Sequence, residues 1–392
     1  MSLSFKYIYY GCRNNLLILL HFIGGIFGLV KYKLFIKIDK ARIKRLVSDS
    51  SNKTLVFFNH LGGGSEKYVR QHFYKHGYCL LNQSNYLNNY CYCLYDITLN
   101  KRLYLKKEDL TDVVTTGYKQ IIVNSLVGFS AETEILDLLT TVKGNRKNIS
   151  LLYLVHDYHS ICPSVHLYYG NNYCKMECDK CGNHHYLSII TVWQKRWFPF
   201  LSVCDEIRTF SLSSKKLLLS KYPNLIEQQI SVVPHDMSYC KFEPLVIEKS
   251  HKPRIAIVGT IMSICKGMAV VGDFLHYCVG KNINVFIIGT LSSDYIVKSP
   301  NIHYLGKYKS ENLNNILQTN KISTVFFPSI LPETFSYLVH ELMMMQIPIV
   351  GFDIGAQGEY LSSYKLGITL PTDSACDDII KALMATNNKA HH

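Results

Sequence analysis

The chain has 392 residues, enough for two domains with cores of their own, and its 48% hydrophobic content excludes disorder as its organising state. Net charge is +13, and residues 1–50 hold nine Lys and Arg against Asp39 and Asp49, a surplus of seven (9 − 2) that points to an anionic surface. Thirteen cysteines, mostly single in apolar segments, read as reduced thiols of a cytosolic protein rather than a disulfide scaffold, and no cleavable signal pattern is evident.

In chain order, residues 14–30 are uncharged and flanked by basic residues, and residues 31–47 alternate basic and apolar side chains. Together they predict a membrane-associating segment over residues 1–50 that lies in an anionic interface without crossing it; the alternative is a core helix. Lys53 to Asn59 is a predicted strand, followed by His60-Leu61-Gly62-Gly63-Gly64-Ser65-Glu66 and a helix from Lys67. A glycine-rich turn there lets backbone approach a ligand, although the spacing is neither GxGxxG nor a Walker loop.

Residues 78–110 read as short strands and loops. Gln120 to Ser125 and Ile149 to Val155 are predicted strands, with a helix over Ala131 to Val142 between them. The second strand ends at His156-Asp157-Tyr158, a polar cluster where α/β domains place ligands. Cys162, Cys174, Cys178 and Cys181 are spaced as an all-cysteine structural zinc site, with His184 and His185 as alternative ligands and a loop of unpaired thiols as the plain alternative. Ser188 to Phe200 and Ser213 to Tyr222 read as helices, and Ile230 to Pro234 as the last strand of a first domain spanning 51–240. Pro253 to Gly259 opens a second domain, 251–385, whose next strand is expected over Gly280 to Gly289.

The most informative stretch is Lys321 to Leu361. An apolar run, Ile322 to Phe327, predicts a buried parallel strand. A loop broken by Pro332 follows, then a helix over Phe335 to Gln346 capped by Thr334 or Ser336, and a strand over Pro348 to Phe352. A helix N-terminus offers unpaired N–H groups and a partial positive charge to a phosphate. Glu333 sits just before that end and Glu341 lies about 12 Å further along by helical rise. One carboxylate can take hydroxyls on each side of a bound diphosphate, the order a nucleotide-sugar presents.

The strand–loop–helix with Glu333, Glu341, Pro348-Ile349-Val350 and Asp353-Ile354-Gly355 resembles the donor site of retaining GT-B glycosyltransferases of group 1, or family 4. The bacterial surface-polysaccharide members also carry runs like His156-Asp157-Tyr158 with Cys162-Pro163 and the later cysteines. The resemblance implies a GT-B α/β fold, two Rossmann-like domains facing a cleft, the first for acceptor and the second for donor. It implies that His156 faces the sugar, that Glu333 holds the sugar's hydroxyls and that Lys266 neutralises the departing diphosphate. Gly63, Gly64, Thr260, Thr334, Phe335, Ser336, Tyr337 and Glu341 would complete the donor site. The family places an Arg where this chain has Thr260, so one cation of the usual pair is missing.

The expected function is transfer of a sugar from a nucleotide-sugar to a lipid-linked or surface glycan, with retention, at the cytoplasmic face of a membrane. No D-x-D pair stands at a strand end, so no catalytic metal is implied, and zinc would be structural only. The alternative is a catalytically inactive GT-B module that binds a glycan or a partner transferase. Nucleic acid is not an expected partner, since the basic N-terminus lacks the aromatic interleaving of a reader.

Overall fold

The structure, a computed structural model, describes residues 54–389 except positions 61, 75–77, 85–90, 98–99, 116, 130, 170–171, 175–177, 179–180, 182 and 248–251. The expected membrane-associating segment, 1–50, lies outside the described residues. Among those described, no helix is long and apolar enough to cross a membrane. The chain divides into two compact units: residues up to Leu154 with Pro199–Asp205, and Val155–Phe198 with Glu206 onward.

The first unit is built on strands β1 (Thr54–Phe57), β2 (Tyr78–Ser84), β3 (Cys91–Asp96), β4 (Lys101–Leu105), β5 (Gln120–Val123) and β6 (Ser150–Leu154), in the spatial order β6-β5-β1-β2-β3-β4. The strands β6, β5, β1 and β2 run parallel, whereas β3 and β4 are antiparallel additions. The parallel strands are short apolar runs because both faces are covered: Leu55, Val56 and Phe57 are fully buried, as is Val123. After β1 the helix begins at Gly63, four residues earlier than the sequence reading put it. Gly62 and Gly63 take φ of 77° and 71°, which a side chain disfavours, and the Glu66 carboxylate accepts the Gly62 N–H at 3.0 Å. That hydrogen bond ties the turn to the first turn of the helix it opens, and Arg70 donates to the same Glu66 carboxylate.

The second unit contains a short hairpin, β7 (Tyr168–Tyr169) with β8 (Asn172–Tyr173), and a parallel pair, β9 (Glu206–Thr209) with β10 (Ile230–Val232). Its main sheet comprises β11 (Ile255–Ile261), β12 (Val285–Leu291), β13 (Ile302–Gly306), β14 (Thr324–Phe327), β15 (Ile349–Phe352) and β16 (Gly367–Leu370). These are all parallel, in the order β13-β12-β11-β14-β15-β16. Alternate side chains serve two cores. Ile255 and Ile257 pack with Phe274 and Leu383 under the helices Met268–Gly280 and Cys376–Lys389, while Ala256 and Val258 pack with Leu317, Val339 and Leu342 on the other face. Each fully buried Ile or Phe contributes about 1.5–3 kcal/mol. The expected strand from Gly280 is corrected: Gly280 closes a helix that begins at Met268, and β12 starts at Val285. The reason is periodicity, since Val271, Phe274, Leu275 and Cys278 repeat at helical spacing and are buried together.

Candidate active site

The loops after β11 and β14 build the site, and backbone contacts hold them together. After β11, residues Ile264–Lys266 form one 3-10 turn and Gly267 follows in the left-handed region, φ 81°. A Cβ on Gly267 would stand 2.1 Å from the Pro328 carbonyl oxygen, so only glycine lets this loop lie against the end of β14. The Cys265 carbonyl accepts the Ile330 N–H at 3.1 Å and the Ser329 hydroxyl at 3.4 Å. Thus docked, Lys266 Nζ lies 2.5 Å from Glu333 Oε1. The carboxylate is buried at 8% exposure and the lysine side chain keeps 40%. Burial disfavours the Lys266 ammonium, but the charge and hydrogen bond of Glu333 outweigh it, so the group is held above its ordinary range.

The helix expected from Phe335 runs over Tyr337–Met344, with Ser336 at its N-cap position. The Ser336 side chain makes no capping hydrogen bond, and neither Asp nor Glu stands in the first turn. The first N–H groups of this helix are therefore satisfied neither by the N-cap side chain nor by a first-turn carboxylate. Thr334, the other expected cap, instead donates its hydroxyl to the His156 carbonyl at 3.1 Å. Glu341 is buried at 5% on the same helix. Burial, with the Glu341 charge added, pushes the Tyr308 hydroxyl up to about 12, which puts Tyr308 in the electrostatic neighbourhood of that carboxylate. Thr260 is exposed in β11.

Rings fill the space behind the loop. Phe335 stacks on His235 at 4.4 Å and on His340 at 4.2 Å, and His156 stacks on Phe210 at 4.4 Å. Phe335 is buried at 8%, its ring being committed to this packing. The Tyr337 hydroxyl shares a 2.5 Å hydrogen bond with His235 Nδ1. His235 is not singled out in the sequence because it directly follows the predicted strand Ile230 to Pro234, where neither periodicity nor motif marks it. His166 has no strand-end placement in the sequence like that of His156. Burial lowers the His166 pKa, Asp157 raises it and Lys266 lowers it further, so this imidazole stands in the field of the Lys266 ammonium.

Lys266, Glu333, Thr334, Phe335, Ser336, Tyr337, Glu341 and His156 thus belong to one unit, and hydrogen bonds join Lys266 to Glu333 and Thr334 to His156. Gly63 and Gly64 lie exposed at the helix start of the other unit. Cys162, Cys174, Cys178 and Cys181 are half-buried and stand in no disulfide. Among the described residues, no group of three or more His, Cys, Asp or Glu is arranged to hold a metal ion. Burial pushes the Cys162 thiol up, and the neighbouring Cys174 and Cys178 push it the same way, so these three sulfurs share one electrostatic neighbourhood.

No family model matches the chain, nor does any curated protein. Solved structures do match. HepE of Anabaena, in complex with UDP-glucose, aligns at a TM-score of 0.52 and 12% identity over 86% of this chain and 94% of that one. Sucrose-phosphate synthase of Thermosynechococcus elongatus aligns at 0.51 and 12%, over 86% and 93%. The lipopolysaccharide outer core galactosyltransferase WaaB aligns at 0.51 and 12%, over 86% and 90%. At this identity the likeness concerns the fold, and the fold is the GT-B α/β fold of glycosyltransferases.

Proposed function

We propose that the chain is a retaining glycosyltransferase of the group 1 type, moving a sugar from a nucleotide-sugar donor to a lipid-linked or surface glycan. The observation that carries this reading is the Lys266–Glu333 pair beside the uncapped start of the Tyr337–Met344 helix. A diphosphate there meets the N–H groups around Phe335 to Tyr337 and the Lys266 ammonium. Glu333 takes the sugar's hydroxyls and Glu341 those of the ribose. As the glycosidic bond breaks, negative charge grows on the leaving diphosphate, which Lys266 and the helix start stabilise and which accepts the acceptor's proton. His156 is assigned to the sugar side. Gly63, Gly64 and Thr260 are assigned to the donor. HepE, which shares the fold, is described with UDP and with UDP-glucose, and this supports a nucleotide-sugar as ligand.

The basic segment 1–47 attaches the enzyme to the anionic cytoplasmic face of a membrane in this reading. Release of the full-length protein from vesicles by high salt is the expected behaviour, since Lys and Arg contacts are screened beyond a Debye length of about 8 Å. Retention through carbonate and salt washes points instead to a spanning helix. The second reading, a non-catalytic module, is favoured by Thr260 alone, which leaves Lys266 without the family's partner cation. Thermal shift against a panel of nucleotide-sugars, followed by turnover without acceptor, separates the two: the enzyme binds and slowly hydrolyses its donor, the module does not.

A further inference from the structure

The backbone that presents Glu333 is clamped by a neighbouring helix, Gly355–Ser363. Gly355, at φ 58°, opens that helix so close to the loop that a Cβ on it would stand 2.6 Å from the Glu333 nitrogen. The Ala356 N–H donates to the Glu333 carbonyl at 2.8 Å. Next along, the Gln357 side chain is fully buried. Its Oε1 accepts the Glu333 N–H at 3.0 Å and its Nε2 donates to the Leu331 carbonyl at 2.5 Å. Both backbone groups of residue 333 are therefore bound by the start of one helix. Neither Gln357 hydrogen bond reaches the Glu333 carboxylate.

We propose that Gln357 is a positioning residue for glycosyl transfer. Its two-ended amide fixes the Leu331–Glu333 backbone and thereby where the Glu333 carboxylate meets the sugar. The inference rests on the transferase reading above. The chemistry calls for an amide in particular: the side chain must accept at one end and donate at the other, inside a region that water does not reach. Methionine fills the same space and does neither. Glutamate keeps the acceptor, and supplies the donor only while its carboxyl is protonated, a state that burial favours.

The test compares wild type, Gln357→Met and Gln357→Glu in sugar release from UDP-glucose, GDP-mannose and dTDP-rhamnose, with kcat referred to folded protein. Gln357→Met should lose kcat about ten- to hundredfold across the pH range. Gln357→Glu should recover as pH falls, its kcat relative to wild type rising about tenfold from about pH 8 to about pH 5.5. A merely structural role lowers the amount of folded enzyme and leaves that ratio flat. Wild-type kcat in Gln357→Met, or a pH-independent ratio in Gln357→Glu, overturns the positioning role. If Gln357→Met does not fold, the pH profile of Gln357→Glu decides alone. Absence of release from any of the three donors by wild type overturns the transferase reading and this role with it.

Discussion

Lys266 Nζ and Glu333 Oε1 lie 2.5 Å apart across 67 positions of sequence. The cation assigned to the diphosphate and the carboxylate assigned to the sugar therefore neutralise each other before any donor arrives. On the function proposed above, a donor would share this pair, with phosphate on the ammonium and hydroxyl on the carboxylate, rather than meet two bare charges.

Glu333→Gln keeps the shape and removes the charge, so kcat should fall about ten- to hundredfold, the worth of one charged hydrogen bond. Lys266→Ala should cost kcat at least as much. It should also lower stability by about 1–3 kcal/mol by leaving the carboxylate buried and unpaired, toward the lower end because the lysine is 40% exposed. Thr260→Arg in the Lys266→Ala background should restore part of the rate. Wild-type turnover in both single variants sinks the site assignment.

Glu341→Gln should act on donor KM and leave kcat nearly unchanged, because ribose contacts are alike in ground and transition states. Steady-state kinetics over a donor series reads this directly. A fall in kcat with constant KM contradicts the ribose assignment.

Gly267→Ala should destabilise by about 1–3 kcal/mol, combining left-handed backbone strain with a Cβ driven into the Pro328 carbonyl. Because the same turn carries Lys266, turnover should drop with the melting temperature. Gly280→Ala, at a helix end where a Cβ meets nothing within 4 Å, is the control that should leave both in place.

Burial holds the His340 imidazole below its ordinary value of 6.5, while its hydrogen bond to the Ser336 carbonyl pulls the other way. Below pH 6.5 the unfolded chain takes up a proton that the folded chain resists, so this group's contribution to stability is present above that pH and is lost as pH falls. His340→Phe should therefore show a smaller loss of melting temperature between about pH 7.5 and about pH 5.5 than wild type does. An equal loss in both removes His340 from the acid response, leaving other groups such as His166, whose pKa is lowered too.

Much of the second unit is legible in the sequence because buried parallel strands are short apolar runs with polar ends. Ile322 to Phe327 contains β14 and Pro348 to Phe352 contains β15, with Glu333 in the loop between them. What is hidden depends on contacts far apart in the chain. Nothing local in Gly355-Ala356-Gln357 shows that it grips Leu331 and Glu333, and nothing in Pro234-His235 shows an imidazole stacked on Phe335. The β3 and β4 strands are legible only as unplaced short strands within 78–110, because the pairing of β3 with β2 and of β4 with β3 is set by register rather than by a hydrophobic run.

The helix Leu212–Lys221 treats its start differently from Tyr337–Met344. Ser211 accepts the Ser214 N–H, and the Glu359 carboxylate accepts those of Leu212 at 3.1 Å and Ser213 at 2.6 Å. That helix carries its own anion, covalently supplied and always present, and so cannot compete for phosphate. Of these two helix starts in the same unit, one is held by its own Ser211 and by the Glu359 side chain, whereas the Ser336 side chain does not cap the other. Removing that side chain, as in Glu359→Ala, would open a second helix start to a diphosphate, and preference for the proposed one would then rest on Lys266, Glu333 and Glu341.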